Sequence, residues 1–89
     1  MSTMIIRHTV KDFDAWKPVF EEHGSVRREY GVSTVGVYRD AKTPNDVVII
    51  LRTDDIDRAQ VLLASSNLKD VMQSSGVISE PQVSILEEA

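Results

Sequence analysis

The segment Val47–Leu51, VVIIL, constrains the fold more than any other stretch of the sequence. Five consecutive β-branched or aliphatic residues favour an extended strand. Successive side chains of a strand point to opposite faces. Val47, Ile49 and Leu51 therefore line one face, and Val48 and Ile50 the other. A strand covered on one side only alternates apolar and polar residues, and this one does not. Both of its faces need cover. The chain has 89 residues, 42% of them hydrophobic, which is enough for one small domain. A chain of that size buries only about 60–65% of its unfolded surface. Helices of the same domain can cover one sheet face. A second copy, packed sheet against sheet, is the simplest cover for the other, so a homodimer through the open sheet face is expected.

The remaining elements follow from periodicity and capping signals. Met4–Val10 reads as a first strand, with Ile5 and Ile6 again on opposite faces. Asp12 and Asp14 offer N-cap oxygens. Phe13, Trp16, Phe20, His23, Arg27 and Tyr30 recur at steps of three and four, which places them on one helical stripe. Pro18 belongs in the early turns of that helix, and Gly31 suits its left-handed C-terminal cap. Ser33–Asp40 is a second strand, residues 41–46 a turn, and Asp46–Thr53 a third strand. Asp54 with Asp57 has the spacing of a capping box and opens a second helix. Ala59, Leu62, Leu63, Val71 and Met72 form its apolar face. Residues 65–67, SSN, divide that helix, with Ser66 or Asn67 capping the second piece. Gly76 ends it, followed by Val77 in the position of a Schellman contact. Pro81–Glu88 is the last strand. The order βαββαβ in a single domain over residues 1–89 is the ferredoxin-like α+β arrangement, an antiparallel sheet with helices on one face.

The stretches RHTVKDFDAWKPVFEEH, VYRDAKTPNDVVIIL, LKDVMQSSGV and EPQV together resemble the dimeric α/β-barrel superfamily, the group of the antibiotic-biosynthesis monooxygenases, and within it uncharacterised bacterial members. The resemblance covers nearly the whole chain as a pattern. It implies two ferredoxin-like subunits whose sheets form a barrel. It also implies, in enzymatic members, a cavity between helices and sheet in each subunit. Chemistry in the group ranges over cofactor-free oxidation of aromatic polyketides, haem breakdown, and isomerisation or cyclisation. Haem-degrading relatives carry an Asn, Trp and His constellation. Here the first strand offers Arg7 and His8 instead of Asn, and the match fails. The superfamily also includes members without known activity, so fold alone does not establish catalysis.

His8 and His23 are the only histidines, and they lie close to Trp16, the only tryptophan. His8 shares a strand face with Ile6 and Val10, and His23 shares the helical stripe with Trp16 and Phe20. A helix folded back over its preceding strand brings both rings towards the same helix–sheet space. Imidazoles there suit proton abstraction from a phenol or an activated carbon acid. Burial favours their neutral, basic form. The alternative is that each ring is satisfied locally by a backbone carbonyl or water, and a register slip of one residue would send His8 to the dimer face. Trp16, Phe20 and Tyr30 form either an aromatic wall for a planar substrate or simply core. Arg27 holds either a substrate anion or an acidic side chain. Gly24 inside a helix costs up to about 1 kcal/mol relative to Ala, and it marks either close approach of a ligand or sheet, or a kink.

Other classes are excluded more firmly. The net charge of −4 opposes nucleic acid or an anionic membrane as partner. There is no cysteine, hence no thiolate chemistry or disulfide framework. No phosphate-binding glycine loop is present, which implies no nucleotide cofactor. Neither HxH nor i, i+4 histidine spacing supports a metal site, although Asp14 and Glu22 lie near the histidines. The brief apolar run at the N-terminus is too short for a signal segment, and a cytoplasmic protein is expected. Two functions remain. One is a cofactor-independent monooxygenase or isomerase/cyclase-like enzyme for an aromatic or polyketide-like molecule. His8 and His23 would be its proton-transfer groups, and Trp16, Phe20, Arg27 and Tyr30 would contact the substrate. The other is a non-catalytic ligand-binding or structural homodimer. An enzyme of the first kind calls for an enclosed cavity of about 300 Å3 or more.

Overall fold

The computed structural model describes residues 1–89. Strand β1 (Ser2–Thr9) leads into helices α1 (Phe13–Glu22) and α2 (Gly24–Glu29). Strands β2 (Val32–Arg39) and β3 (Asp46–Thr53) follow, then helices α3 (Ile56–Leu63) and α4 (Ser66–Ser74), and finally strand β4 (Gln82–Glu87). The sheet order is β2-β3-β1-β4, with every neighbouring pair antiparallel. This is the ferredoxin-like α+β fold expected from the sequence. Each of its two helical layers consists of two short helices rather than one long one.

The register decides which side chains meet the helices. Met4, Ile6 and His8 of β1 lie opposite Leu51, Ile49 and Val47 of β3. All six are buried. Their odd and even neighbours, Ile5, Val48 and Ile50, stay half-buried on the opposite face. The core is thus a single layer between sheet and helices, completed by Val10, Trp16, Val32, Ala59 and Leu62. A β-bulge between Thr34 and Gly36 interrupts the pairing of β2 with β3. At the far edge every residue of β4 is exposed.

The caps explain where the elements end. Asp12 accepts a hydrogen bond from the Asp14 amide at 3.0 Å and starts α1. The second helical layer begins at Asp55, which accepts from the Arg58 amide at 3.1 Å. This is one residue later than the expected Asp54 cap, since the Thr53 hydroxyl binds the Asp55 amide and fixes the turn there. Ser65, not Ser66 or Asn67, caps α4 by accepting from the Leu68 amide. Gly31 and Gly76 adopt φ of 72° and 94°, the left-handed region that suits a residue without a β-carbon. After Gly76 the Val77 amide donates to Met72 at 3.0 Å and the Gly76 amide to Gln73 at 3.3 Å, the bond pair of a Schellman motif. The loop that follows is tied back to β1 by the Ile78 amide on the Thr9 carbonyl, 2.9 Å.

The helix expected to run to Tyr30, with Gly24 marking a close approach or a kink, breaks at His23. That residue has φ −79° and ψ 1°, outside the helical range, and α2 restarts at Gly24. Pro18 sits in the second turn of α1.

Candidate active site

A cavity of about 120 Å3 lies between the helices and the inner sheet face. Ile6 and His8 from β1, and Ile49 and Leu51 from β3, form its floor. The α1–α2 side supplies Trp16, Phe20, His23 and Arg27. Leu62, Leu68, Val71 and Met72 close it from the α3–α4 side. Both histidines therefore line one space. The register of β1 keeps His8 on the helix side, and it is only 3% exposed.

The aromatic side chains are ordered along α1 by the helical repeat. Phe13 and Trp16 have ring centroids 5.7 Å apart, and Trp16 and Phe20 stack at 5.1 Å with planes 29° apart. His8 meets Trp16 edge-on, at 5.4 Å and 75°. The guanidinium carbon of Arg27 lies 3.8 Å from the centre of the Phe20 ring, a cation–π contact. Its Nη1 donates to the Phe20 carbonyl at 2.9 Å. This backbone carbonyl, rather than an acidic side chain, is the partner that α1 offers to Arg27.

Three buried polar atoms in this region have no hydrogen-bond partner: His8 Nδ1, His23 Nδ1 and Arg27 Nε. Buried polar atoms are satisfied in the great majority of cases, and leaving one bare costs about 1–3 kcal/mol. All three belong to residues that line the one cavity. Burial holds the His8 pKa below the ordinary histidine value, so the ring is neutral at pH 7 and one nitrogen is free to accept a proton. Burial and the nearby Arg28 also lower the Arg27 pKa, yet a guanidinium keeps its charge. No carboxylate lines the cavity. It therefore suits neutral or anionic ligands and opposes cations. No group of three or more His, Asp or Glu side chains converges in the structure to hold a metal ion.

Of the residues singled out in the sequence, His8, Trp16, Phe20, His23 and Arg27 come together. Tyr30 does not. It is the C-cap of α2 and packs, partly buried, against the core away from the cavity. A further turn of helix carries it past the cavity wall. The sequence reading missed the apolar wall opposite, Leu68 and Val71 above all, as well as Ser75, Pro81 and Val83. The helical spacing of Leu68 and Val71 marks them as core, Pro81 and Val83 lie in the loop and strand that follow, and none carries a signal for a ligand. The cavity is also smaller than the roughly 300 Å3 expected of an enzyme site. An apolar cavity of about 150 Å3 accepts benzene, so the space here, at about 120 Å3, has room for nothing larger than a single ring.

No family model matches the sequence, and no curated protein matches it. The fold itself has counterparts among solved structures. An antibiotic biosynthesis monooxygenase superposes with a TM-score of 0.74 at 16% identity, covering 100% of this chain and 99% of the other. SnoaB, a cofactor-independent oxygenase from Streptomyces nogalater, gives 0.73 at 19% identity over 98% and 91% of the two chains. An uncharacterized NIPSNAP domain protein from Burkholderia xenovorans gives 0.68 at 13% identity over 100% and 95%. The protein has the ferredoxin-like fold of the antibiotic biosynthesis monooxygenase-like proteins, over essentially its full length. No helix is long and apolar enough to cross a membrane.

Proposed function

We propose that the protein is a small cofactor-independent enzyme, of monooxygenase or isomerase/cyclase type, acting on a single-ring aromatic molecule in the helix–sheet cavity. The observation that carries this reading is the set of unpartnered polar atoms, two imidazole nitrogens and one guanidinium nitrogen, on residues lining one apolar space. The ring of the ligand packs against Trp16 and Phe20. Neutral His8 takes a proton from a phenol or an activated carbon, and the electron pair left behind is delocalised over the ligand. Arg27 stabilises that negative charge. In an isomerase His23 returns a proton at a second position. In a monooxygenase the deprotonated ring reacts with dioxygen as co-substrate: one oxygen atom stays on the ring carbon as a quinone carbonyl, and the other leaves as water with the ring hydrogen and the abstracted proton. Proton transfer by a positioned side chain contributes typically about 10²–10⁴-fold.

The test is a panel of phenols and quinols incubated with purified protein. Oxygen uptake and exchange of ring hydrogens in heavy water are the two readouts. Replacing His8 with Gln should reduce either rate by roughly 10²–10⁴-fold while the fold persists. Saturable binding with neither oxygen uptake nor exchange would support the second reading, a non-catalytic ligand-binding homodimer, which the small cavity volume favours.

The same proposal includes pairing through the open sheet face. Ile5, Val48 and Ile50 lie there half-buried, with Tyr38 and Leu86 54% and 46% exposed. Contiguous apolar surface of this kind marks an interface. Light scattering of Ile50→Asp should report a monomer where the unmodified chain is a dimer. A monomeric unmodified chain at micromolar concentration ends this part of the reading.

A further inference from the structure

A second space adjoins the histidine cavity on its outer side. It is an open groove of about 380 Å3 between the α1–α2 pair and β2, and its polar lining includes Lys17, Arg27, Arg28, Ser33 and Thr34. Phe20 and Arg27 line both spaces and so form the wall between them. The one carboxylate of the groove, Glu21, is bonded to Lys17 at 2.6 Å, the only ion pair in the structure. Arg27 and Arg28 consequently have no carboxylate partner. Their guanidiniums nevertheless converge. A β-carbon at Gly24 would lie 3.4 Å from Arg27 Nη2 and 3.5 Å from Arg28 Nη1. Two like charges thus meet over a backbone that carries no side chain, an arrangement that is unfavourable until an anion joins it. Arg27 is only 9% exposed, and its Nε has no partner. This concentration of positive charge belongs to a chain whose net charge is −4.

We propose that Gly24, Arg27 and Arg28 form a cradle for an anionic oxygen group, carboxylate or phosphate, carried by a single-ring ligand. The ring of that ligand reaches the histidine cavity past the Phe20–Arg27 wall. This inference rests on the ligand-binding part of the proposed function and narrows it to aryl or arylalkyl anions. Guanidinium groups suit such oxyanions because their N–H donors match the spacing of two oxygens. Gly24 then has a role beyond the helix break, since a β-carbon there would touch both guanidiniums, at 3.4 and 3.5 Å, where the anion is to sit.

Trp16 is the only tryptophan and lines the inner cavity, so its fluorescence reports arrival of a ring. The probes are benzoate, phenyl phosphate, neutral benzyl alcohol and inorganic phosphate. Benzoate or phenyl phosphate should bind about tenfold more tightly than benzyl alcohol, the worth of one charge-assisted contact. Whichever of the two binds better identifies carboxylate or phosphate as the natural group. Inorganic phosphate should compete with it without changing Trp16 emission. Arg28→Gln and, separately, Gly24→Ala should each lower anion affinity about tenfold and leave benzyl alcohol affinity as it was. Circular dichroism melts confirm that both variants fold. Equal affinity for benzoate, phenyl phosphate and benzyl alcohol overturns the proposal, as does an Arg28→Gln variant with unchanged anion binding. Binding of inorganic phosphate alone, with no aryl anion bound, also overturns it. An anion preference that depends on Arg28, found without any turnover, upholds the cradle and removes the catalytic reading. Turnover of neutral phenols with no anion preference does the reverse.

Discussion

The α1–α2 pair and the α3–α4 pair each follow a strand and cover the same sheet face, yet they deliver different groups to the space between them. The first pair buries Trp16, Gly24 and Arg27 and brings His23, so apart from Ser75 every polar helix residue around the cavity comes from it. The second pair buries only Ala59 and Leu62, both on α3, and α4 buries nothing fully. Its contribution is an aliphatic wall of Leu62, Leu63, Leu68, Val71 and Met72, with Ser75 already bonded to the Met72 carbonyl. The fold places two equivalent layers on one sheet, and side-chain choice makes one of them polar and more deeply buried and the other apolar and, on α4, only partly buried.

The largest expected difference between the layers concerns packing. Trp16→Ala should cost about 3–5 kcal/mol, the usual loss for a buried large aromatic. Met72→Ala, in a half-buried position, should cost about 1–2 kcal/mol, below the range for fully buried methionines. Urea unfolding of the two variants compares the layers directly, and equal losses would erase the contrast.

The helix ends should behave alike in both layers. Gly31 and Gly76 each end a layer at positive φ, so alanine at either should cost about 1–2 kcal/mol. Thermal melts that move by very different amounts would show that one layer is better anchored than the packing suggests. Next in size are the caps: Asp12→Ala and Ser65→Ala should each lose about 1 kcal/mol by the same measurement.

The smallest effect is the pH dependence contributed by His8. Its native pKa lies below the ordinary value because burial opposes the charged form. Between the two values the unfolded chain binds a proton that the native chain does not. The neutral ring's contribution is therefore fully present above about pH 6.5 and is lost as pH falls through the native pKa. Urea midpoints measured from about pH 7.5 to about pH 5.5 should decline for the unmodified protein and decline less for His8→Gln. Identical slopes would mean that His8 is not held neutral.

Much of the fold was legible in the sequence. The third strand lies where the VVIIL segment placed it, from Asp46 to Thr53, because apolar periodicity and turn residues at both ends agree. The cap at Asp12 and the glycines at 31 and 76 were equally plain, since each depends on one residue's own chemistry. The break at His23 was not. Gly24 signals a weakness in a helix but does not fix where the chain turns, and the Asp54/Asp55 choice depended on a hydroxyl from Thr53. The site was half legible. The stripe on α1 and the face of β1 follow from the periods 3.6 and 2, which is why His8, Trp16, Phe20, His23 and Arg27 converge. Tyr30 obeys the same period, and the stripe does not reveal that the cavity ends before it.

The sequence by itself determined the order of elements and the clustering of imidazole, indole and guanidinium near one strand–helix junction, whereas strands apolar on both faces left their inward side to the tertiary structure. That order and that clustering rest on local geometry, in which a residue's direction depends on its neighbours a few positions away. Only the tertiary structure decided that three polar atoms are buried without partners, that α4 supplies the opposite wall, and that Arg27 and Arg28 meet over Gly24 with no carboxylate between them. Those facts depend on which groups are absent from a given volume. An absence of that kind is a property of the whole packed chain and is carried by no segment of it.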